Sequence, residues 1–189
     1  MRWEQLFADL EAQLAEQEAV EEQVEDASRA RAEYGRLQLV DRVRGSLDQP
    51  VSLRCRGAGD LAGRLVDVGT DWLLLVDEQG REVLVAGSAV TAVAGLVATT
   101  AGEPLDGEVA RRLDLRRALR GLARDRATVS CLLEDGGVLS GTIDRVGADF
   151  LELAAHPLDR PRRRDAVTGV LAVPLRAVVA VRTSPAPVA

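Results

Sequence analysis

The amino-acid sequence predicts an α+β protein: a long N-terminal helix, then two copies of one unit, each a helix followed by a bent, five-stranded antiparallel barrel. Three observations lead to this prediction. Residues 3–34 contain neither proline nor glycine and are rich in glutamate, alanine, glutamine and leucine. The chain repeats itself internally. Each copy contains short β-branched runs separated by glycine-containing turns, a pattern typical of strands.

The N-terminal segment, residues 1–35, is predicted to be an acidic helix that packs or dimerises. Residues 1–34 hold ten acidic residues and three arginines. Its apolar residues form two stripes at helical spacing, Trp3, Phe7, Leu10 and Leu14, then Val20, Val24, Ala27, Ala30 and Tyr34. Because the step from 14 to 20 breaks the heptad, we expect self-association through a coiled coil with a stutter, not a long regular one.

The first repeat is predicted to span residues 36–95, after a break at Gly35. Its helix, 36–47, carries one apolar face made of Leu37, Val40, Val43 and Leu47. Pro50 ends that helix. The predicted strands are Val51–Cys55, Leu61–Val68, Trp72–Val76, Glu82–Val85 and Val90–Val93.

The second repeat is predicted to span residues 108–183, after a linker at 96–107. Its helix, 108–124, carries an apolar stripe made of Leu115, Ala118, Leu119 and Leu122. The predicted strands are Thr128–Leu133, Leu139–Val146, Phe150–Ala154, Val170–Val173 and Val178–Arg182. Residues 184–189 are predicted to be a disordered tail.

The two copies align without a gap from 51–75 to 129–153, at a spacing of 78 residues, with ten of the 25 paired positions identical. After the third strand the spacing becomes 88, because the second copy carries an insertion. Gly63 and Gly141 lie inside strands, where glycine usually marks a bend. Trp72 and Phe150 occupy one position, and we expect each ring to fill its core.

Two short segments of the second copy resemble a known family. Residues 146–151 read Val-Gly-Ala-Asp-Phe-Leu, and residues 173–178 read Val-Pro-Leu-Arg-Ala-Val. These segments are similar to the second-to-third-strand turn and the closing segment of small bacterial Sm-like proteins. The resemblance covers about 51–93 and 127–182 and implies two Sm-like barrels. It also implies open edges on the fourth and fifth strands, which pair either within the chain or between chains.

Composition and motifs argue against several functional classes. No apolar run approaches the roughly 20 residues that a membrane helix needs, and no signal segment is evident, so we expect a cytoplasmic protein. Cys55 and Cys131 are expected to be buried thiols. The single histidine, His156, is expected in a surface loop. Without a nucleophile, metal-ligand or phosphate-loop pattern, we expect no enzyme, no catalytic residue, no cofactor and no metal.

The candidate functional residues are arginines of the second repeat. The chain has 24 basic residues, all of them arginine, although its net charge is −6. Arg112, Arg116, Arg120 and Arg124 form an i, i+4 ladder, and the insertion adds Arg160, Arg162, Arg163 and Arg164. The resemblance adds Arg176, in the segment between strands four and five. Such patches follow a phosphate backbone, so we expect a regulatory protein that binds RNA or DNA.

Two alternatives stay open. The arginine ladder is also explained as a solvated helix face that pairs with the acidic segment of the same or another chain. The alternative function is a protein assembly module that acts through residues 3–34 and the open barrel edges. Because the arginines are concentrated in the second repeat, we expect the first barrel to be mainly structural and the second to carry any binding.

Overall fold

The computed structural model describes residue 26 and residues 28–97, 113–158 and 166–183. The chain divides into two units between Leu39 and Val40. In the first unit, residues 28–34 are helical and residues 35–36 form a turn. All strands belong to the second unit.

The first half of the sheet unit begins with a short helix, α1 (Leu39–Arg44), which contributes Val43 to the core. Five strands follow. They are β1 (Pro50–Cys55), β2 (Gly59–Val68), β3 (Trp72–Val76), β4 (Glu82–Ala86) and β5 (Val90–Ala94), with a 3-10 turn at Gly87–Ala89. Strand β1 alternates buried Val51, Leu53 and Cys55 with less buried residues, as expected of a strand with one face on the core.

The second half repeats this order. It comprises α2 (Leu115–Arg124), β6 (Thr128–Leu133), β7 (Val138–Val146), β8 (Phe150–Ala155), β9 (Gly169–Pro174) and β10 (Val178–Thr183), with a 3-10 turn at Leu175–Ala177. All ten predicted strands are present, each within two residues of its predicted ends. The strand predictions are therefore confirmed.

The two halves are not separate barrels. The ten strands form one antiparallel sheet in the order β5-β1-β2-β3-β4-β10-β6-β7-β8-β9, in which β10 pairs with both β4 and β6. The predicted α+β fold, a long helix plus two Sm-like repeats, is therefore wrong. The two halves join because of their strand edges. Within its own half, each of β4 and β10 pairs on one side only, and the backbone groups of their other edges bond to one another.

The predicted coiled coil is also wrong. In the described residues, α1 has six residues in place of the predicted 36–47, and α2 has ten. Helices of this length are too short for the three or more heptads that a coiled coil requires. Most of the predicted helix 3–34 lies outside the described residues, as do most of the linker 96–107 and the whole tail 184–189.

The strand glycines mark close approaches between neighbouring strands. A Cβ at Gly63 would lie under 3.0 Å from the carbonyl of Val76, and one at Gly141 would lie closer still to the carbonyl of Ala154. In both halves the pairing register then shifts just beyond the glycine, between Leu65 and Asp67 and between Ile143 and Arg145. At the predicted bends, β2 and β7 therefore each have an irregularity of the β-bulge kind, at equivalent positions.

Candidate nucleic-acid interface

Helix α2 presents its arginines to solvent because its apolar stripe faces the sheet. Leu115 and Leu119 are buried, and Ala118 and Leu122 pack against the core, which confirms the predicted stripe. Asp114 caps the helix: its carboxylate accepts the amide of Arg117 at 2.9 Å. The opposite side of α2 faces solvent and carries charged residues.

The first half of the chain also holds α2 in place. The amide of Leu115 donates to the carboxylate of Asp71 at 2.7 Å. The indole Nε1–H of Trp72 donates to the carbonyl of Leu113 at 2.8 Å. The Asp71 side chain therefore satisfies an amide in the first turn of α2, which has no partner within the helix. The helix is therefore fixed to the turn between β2 and β3.

We call the exposed side of α2, made of Arg116, Arg117, Arg120 and Arg124, the arginine face. Arg116 pairs with Asp114 at 2.8 Å. Arg120 is exposed and has no ion pair with any described residue, and Arg124 approaches Asp125 only to 3.9 Å with its side chain 84% exposed. Arg120 and Arg124, which have no close carboxylate partner among the described residues, thus lie toward the C-terminal end of α2.

Arg176 is connected to Arg116 only through hydrogen bonds that both segments make with the turn between β7 and β8. The guanidinium of Arg116 approaches the carbonyl of Ala148 at 3.4 Å, in the turn between β7 and β8. The next carbonyl, that of Asp149, accepts the amide of Leu175 at 2.8 Å. Arg176, exposed, is the middle residue of that 3-10 turn. Of the other predicted site residues, Arg112, Arg160, Arg162, Arg163 and Arg164 lie outside the described residues.

Arg56 donates to the carbonyl of Ser88, whereas three other arginines of the first half are paired closely with carboxylates. Their partners lie at 3.0 Å or less: Arg54 with Asp60, Arg64 with Asp48 and Arg81 with Asp77. A paired guanidinium must give up a carboxylate before it binds a phosphate. The same holds for Arg116, whereas Arg120 has no ion pair with a described residue and Arg124 approaches Asp125 only to 3.9 Å.

The prediction that His156 lies in a surface loop is wrong. His156 is 3% exposed. Its Nε2 lies 2.8 Å from the hydroxyl of Thr142, and its Nδ1 lies 2.9 Å from the carbonyl of Pro157. A carbonyl only accepts, so Nδ1 donates to Pro157, and the hydroxyl of Thr142 is the hydrogen-bond partner of Nε2. Because Thr142 lies in β7, 14 residues earlier in the chain, no local pattern around His156 indicated this pair.

The cysteine prediction is confirmed: Cys55 and Cys131 are free and buried. Burial raises the pKa of Cys131 to about 12. Burial, together with the nearby charge of Asp60, also raises the pKa of Cys55. Neither thiol is therefore activated for nucleophilic chemistry. Among the described residues, no group of three or more histidine, cysteine, aspartate or glutamate side chains is arranged to hold a metal ion.

Fold and surface together define a mainly β protein whose two equivalent halves share one sheet and whose second half carries a basic helix. Within the described part of the chain, no helix has the length and apolar character needed to cross a membrane. No protein-family model, no curated protein and no solved structure matches the chain. The Sm-like relationship itself thus stays a prediction.

Proposed function

We propose that this chain is a non-catalytic, cytoplasmic protein that binds the phosphate backbone of nucleic acid through its arginine face. One observation carries the proposal: Arg120 and Arg124 are exposed on the same helix as Arg116, without a close carboxylate partner of their own among the described residues. Two free, buried cysteines support a reducing compartment such as the cytoplasm.

The spacing of the arginine face suits a chain of phosphates. Residues four apart on a helix rise about 6 Å along its axis, so Arg116, Arg120 and Arg124 form a row about 12 Å long. Each guanidinium offers a planar fork of donors that fits a phosphate. The net charge of −6 is compatible with binding to a phosphate backbone, since ten of the 30 acidic residues lie in residues 1–34.

The proposed contacts are with the backbone, so we expect little sequence preference. Arginine contacts to phosphate fix position but carry no base information by themselves. Binding should instead depend strongly on salt, because each neutralised phosphate releases counterions. A regulatory protein of this kind would cover or arrange a nucleic acid rather than read its sequence.

The test is fluorescence anisotropy with labelled, mixed-sequence RNA of about 16 nucleotides, and with a duplex DNA of the same length, between about 50 and 200 mM salt. The variant Arg116→Gln/Arg120→Gln/Arg124→Gln should bind RNA at least about tenfold more weakly at low salt. The slope of log affinity against log salt should become shallower by about 2, since each lost contact to a single strand contributes about 0.7.

The matched control removes three exposed arginines of the first half, as Arg54→Gln/Arg56→Gln/Arg64→Gln. This control carries the same net charge as the test variant and should retain binding. Absence of binding by the unmodified chain at low salt, or an equal loss in both variants, would overturn the proposal. The DNA arm decides whether duplex or single strand is preferred.

A second candidate function, protein assembly, is favoured by a separate observation. Strands β5 and β9 lie at the two ends of the ten-stranded sheet; each pairs on one side only, with β1 and β8 respectively, and no described strand pairs with its other edge. Unpaired strand edges are templates for pairing with another chain. Light scattering of the full chain across a wide range of concentrations tests this function, and a monomer throughout would count against it.

A further inference from the structure

The first half of the chain carries a groove with a volume of about 540 Å³, lined by residues of β1 and β2 and of the turn that follows β3. Clefts of this size commonly hold small molecules. Gly63 of β2 leaves part of the groove without a side chain, and a Cβ there would lie 2.6 Å from the carbonyl oxygen of Val76. Pro50, Ala62 and Val76 supply apolar surface. The first half therefore offers an open space with largely apolar walls.

The equivalent position in the second half is closed. The spacing of 78 residues makes Thr142 the equivalent of Arg64 and His156 the equivalent of Glu78. The pairing registers of β2 with β3 and of β7 with β8 agree with this alignment. Thr142 and His156 are 1% and 3% exposed, whereas Arg64 and Glu78 are both exposed. A surface that is open in the first half is therefore covered in the second.

Hydrogen bonds hold the ring of His156 at that position. The backbone amide of His156 donates to the carbonyl of Ser140 at 3.1 Å, and the ring Nε2 lies 2.8 Å from the hydroxyl of Thr142. Ser140 is the equivalent of Ala62, which lines the open groove. The chain thus contains one example of a flat nitrogen heterocycle seated on this surface, and the first half has the surface without the ring.

The charges beside the open groove leave one carboxylate available. Arg64 pairs with Asp48 at 3.0 Å, and Asp77 pairs with Arg81 at 2.8 Å, so each of these pairs is neutral. Glu78 is exposed and has no ion pair with any described residue. A carboxylate accepts hydrogen bonds from N–H groups, and these bonds are stronger when the donor is a cation. The groove therefore favours a cationic ligand over an anionic one.

We propose that this groove binds a small molecule that carries a cationic, flat nitrogen heterocycle of the imidazole class. The ring lies against Gly63 and Val76, in the place that His156 takes in the second half. An N–H of the ligand donates to the carboxylate of Glu78, and the hydroxyl of Ser52, which also lines the groove, is a second polar partner. No residue that lines the groove belongs to α2, so this site is separate from the arginine face.

NMR titration of the full, isotopically labelled chain with histamine tests the site. Histamine joins an imidazole ring to an ammonium group. The amide signals of Gly63 and Gly95, which both line the groove, should shift and saturate, whereas those of the equivalent Gly141 should not. Adenosine monophosphate has a nitrogen heterocycle but a negative charge, so it should bind at least about tenfold more weakly than histamine.

Two variants test the carboxylate and the space separately. Glu78→Gln keeps the shape of the side chain but removes its charge, and should raise the dissociation constant for histamine at least about fivefold. Ala62→Leu adds a side chain to the groove from an exposed position and should raise it at least about tenfold. The matched control Glu134→Gln removes the same charge from the exposed turn between β6 and β7 and should leave histamine binding unchanged.

The absence of shifts at Gly63 with histamine, or equal losses of affinity in Glu78→Gln and Glu134→Gln, would overturn the inference. Tighter binding of adenosine monophosphate than of histamine would overturn the cationic class of ligand. The blocked peptide acetyl-Ala-His-Pro-amide reproduces residues 155–157. If it binds more tightly than histamine, the occupant is a histidine of another protein and the small-molecule assignment is wrong. Glu78→Gln and Ala62→Leu should bind RNA as the unmodified chain does, so the groove and the arginine face are tested independently.

Discussion

Replacing Trp72 with phenylalanine would measure how firmly the first half of the sheet holds α2. The indole is 7% exposed, and its Nε1–H donates to the carbonyl of Leu113 at 2.8 Å. Phenylalanine keeps an aromatic ring but removes the donor. The lost hydrogen bond costs about 1 kcal/mol, and the smaller ring leaves unfilled volume that costs about another 1 kcal/mol. We expect the free energy of unfolding to fall by about 2 kcal/mol.

Urea unfolding followed by circular dichroism measures that loss. With a slope of about 2 kcal/mol/M, the midpoint should fall by about 1 M. Amide hydrogen exchange adds a local measurement. The amide of Leu115, which donates to Asp71 at 2.7 Å, should exchange faster because the first turn of α2 opens more often.

The matched control is Phe150→Leu, at the equivalent position of the second half. Phe150 is 38% exposed and has no polar atom on its ring, so this change should cost about 1 kcal/mol or less. Exchange at the start of α2 should stay as it is in the unmodified chain. Equal losses in the two variants, or unchanged exchange of Leu115 in Trp72→Phe, would refute the anchoring role of Trp72.

Two further predictions concern ionisable groups. Burial disfavours the charged form of Asp77, but hydrogen bonds from the amides of Arg81 and Gln79 and from the Arg81 guanidinium outweigh it and lower the pKa of Asp77 below its usual 3.8. The stabilisation from ionised Asp77 is therefore complete above pH 3.8 and is lost as the pH falls through the lowered pKa. Near neutral pH, Asp77→Asn should lower the free energy of unfolding by about 2 kcal/mol. In urea titrations at several pH values, the free energy of unfolding of this variant should fall less at acid pH than that of the unmodified chain. Since burial raises the pKa of Cys131 to about 12, iodoacetamide should alkylate it about a hundredfold more slowly in the native than in the denatured chain, by mass spectrometry; equal rates would contradict its burial.

The strands were predictable because their signal is local. Alternation of apolar and polar residues over five or six positions is enough to indicate a strand, as in β1 with Val51, Leu53 and Cys55. The apolar stripe of α2 was visible for the same reason, at helical spacing. These patterns depend only on neighbours along the chain, so they can be recognised without knowing how the elements are arranged in space.

The errors concern contacts between distant residues. His156 was expected in a surface loop because it lies in a segment rich in proline and arginine, yet it pairs with Thr142 of β7. Trp72 and Phe150 occupy equivalent positions, yet only Trp72 is covered, since α2 follows the first half and not the second. A repeat shows which residues are equivalent. It does not show which of two equivalent residues another element of the fold will cover.

By itself, then, the sequence determined the duplicated unit, the positions of its strands, the amphipathic character of α2 and the concentration of arginines in the second half. Only the tertiary structure decided that β4 and β10 join the two halves into one sheet, and that β5 and β9 remain at its ends. The physical reason is that sheets are joined by backbone N–H and C=O groups, which nearly every residue carries alike. Side chains therefore indicate where a strand forms, whereas its neighbour depends on which free edge the completed fold brings beside it.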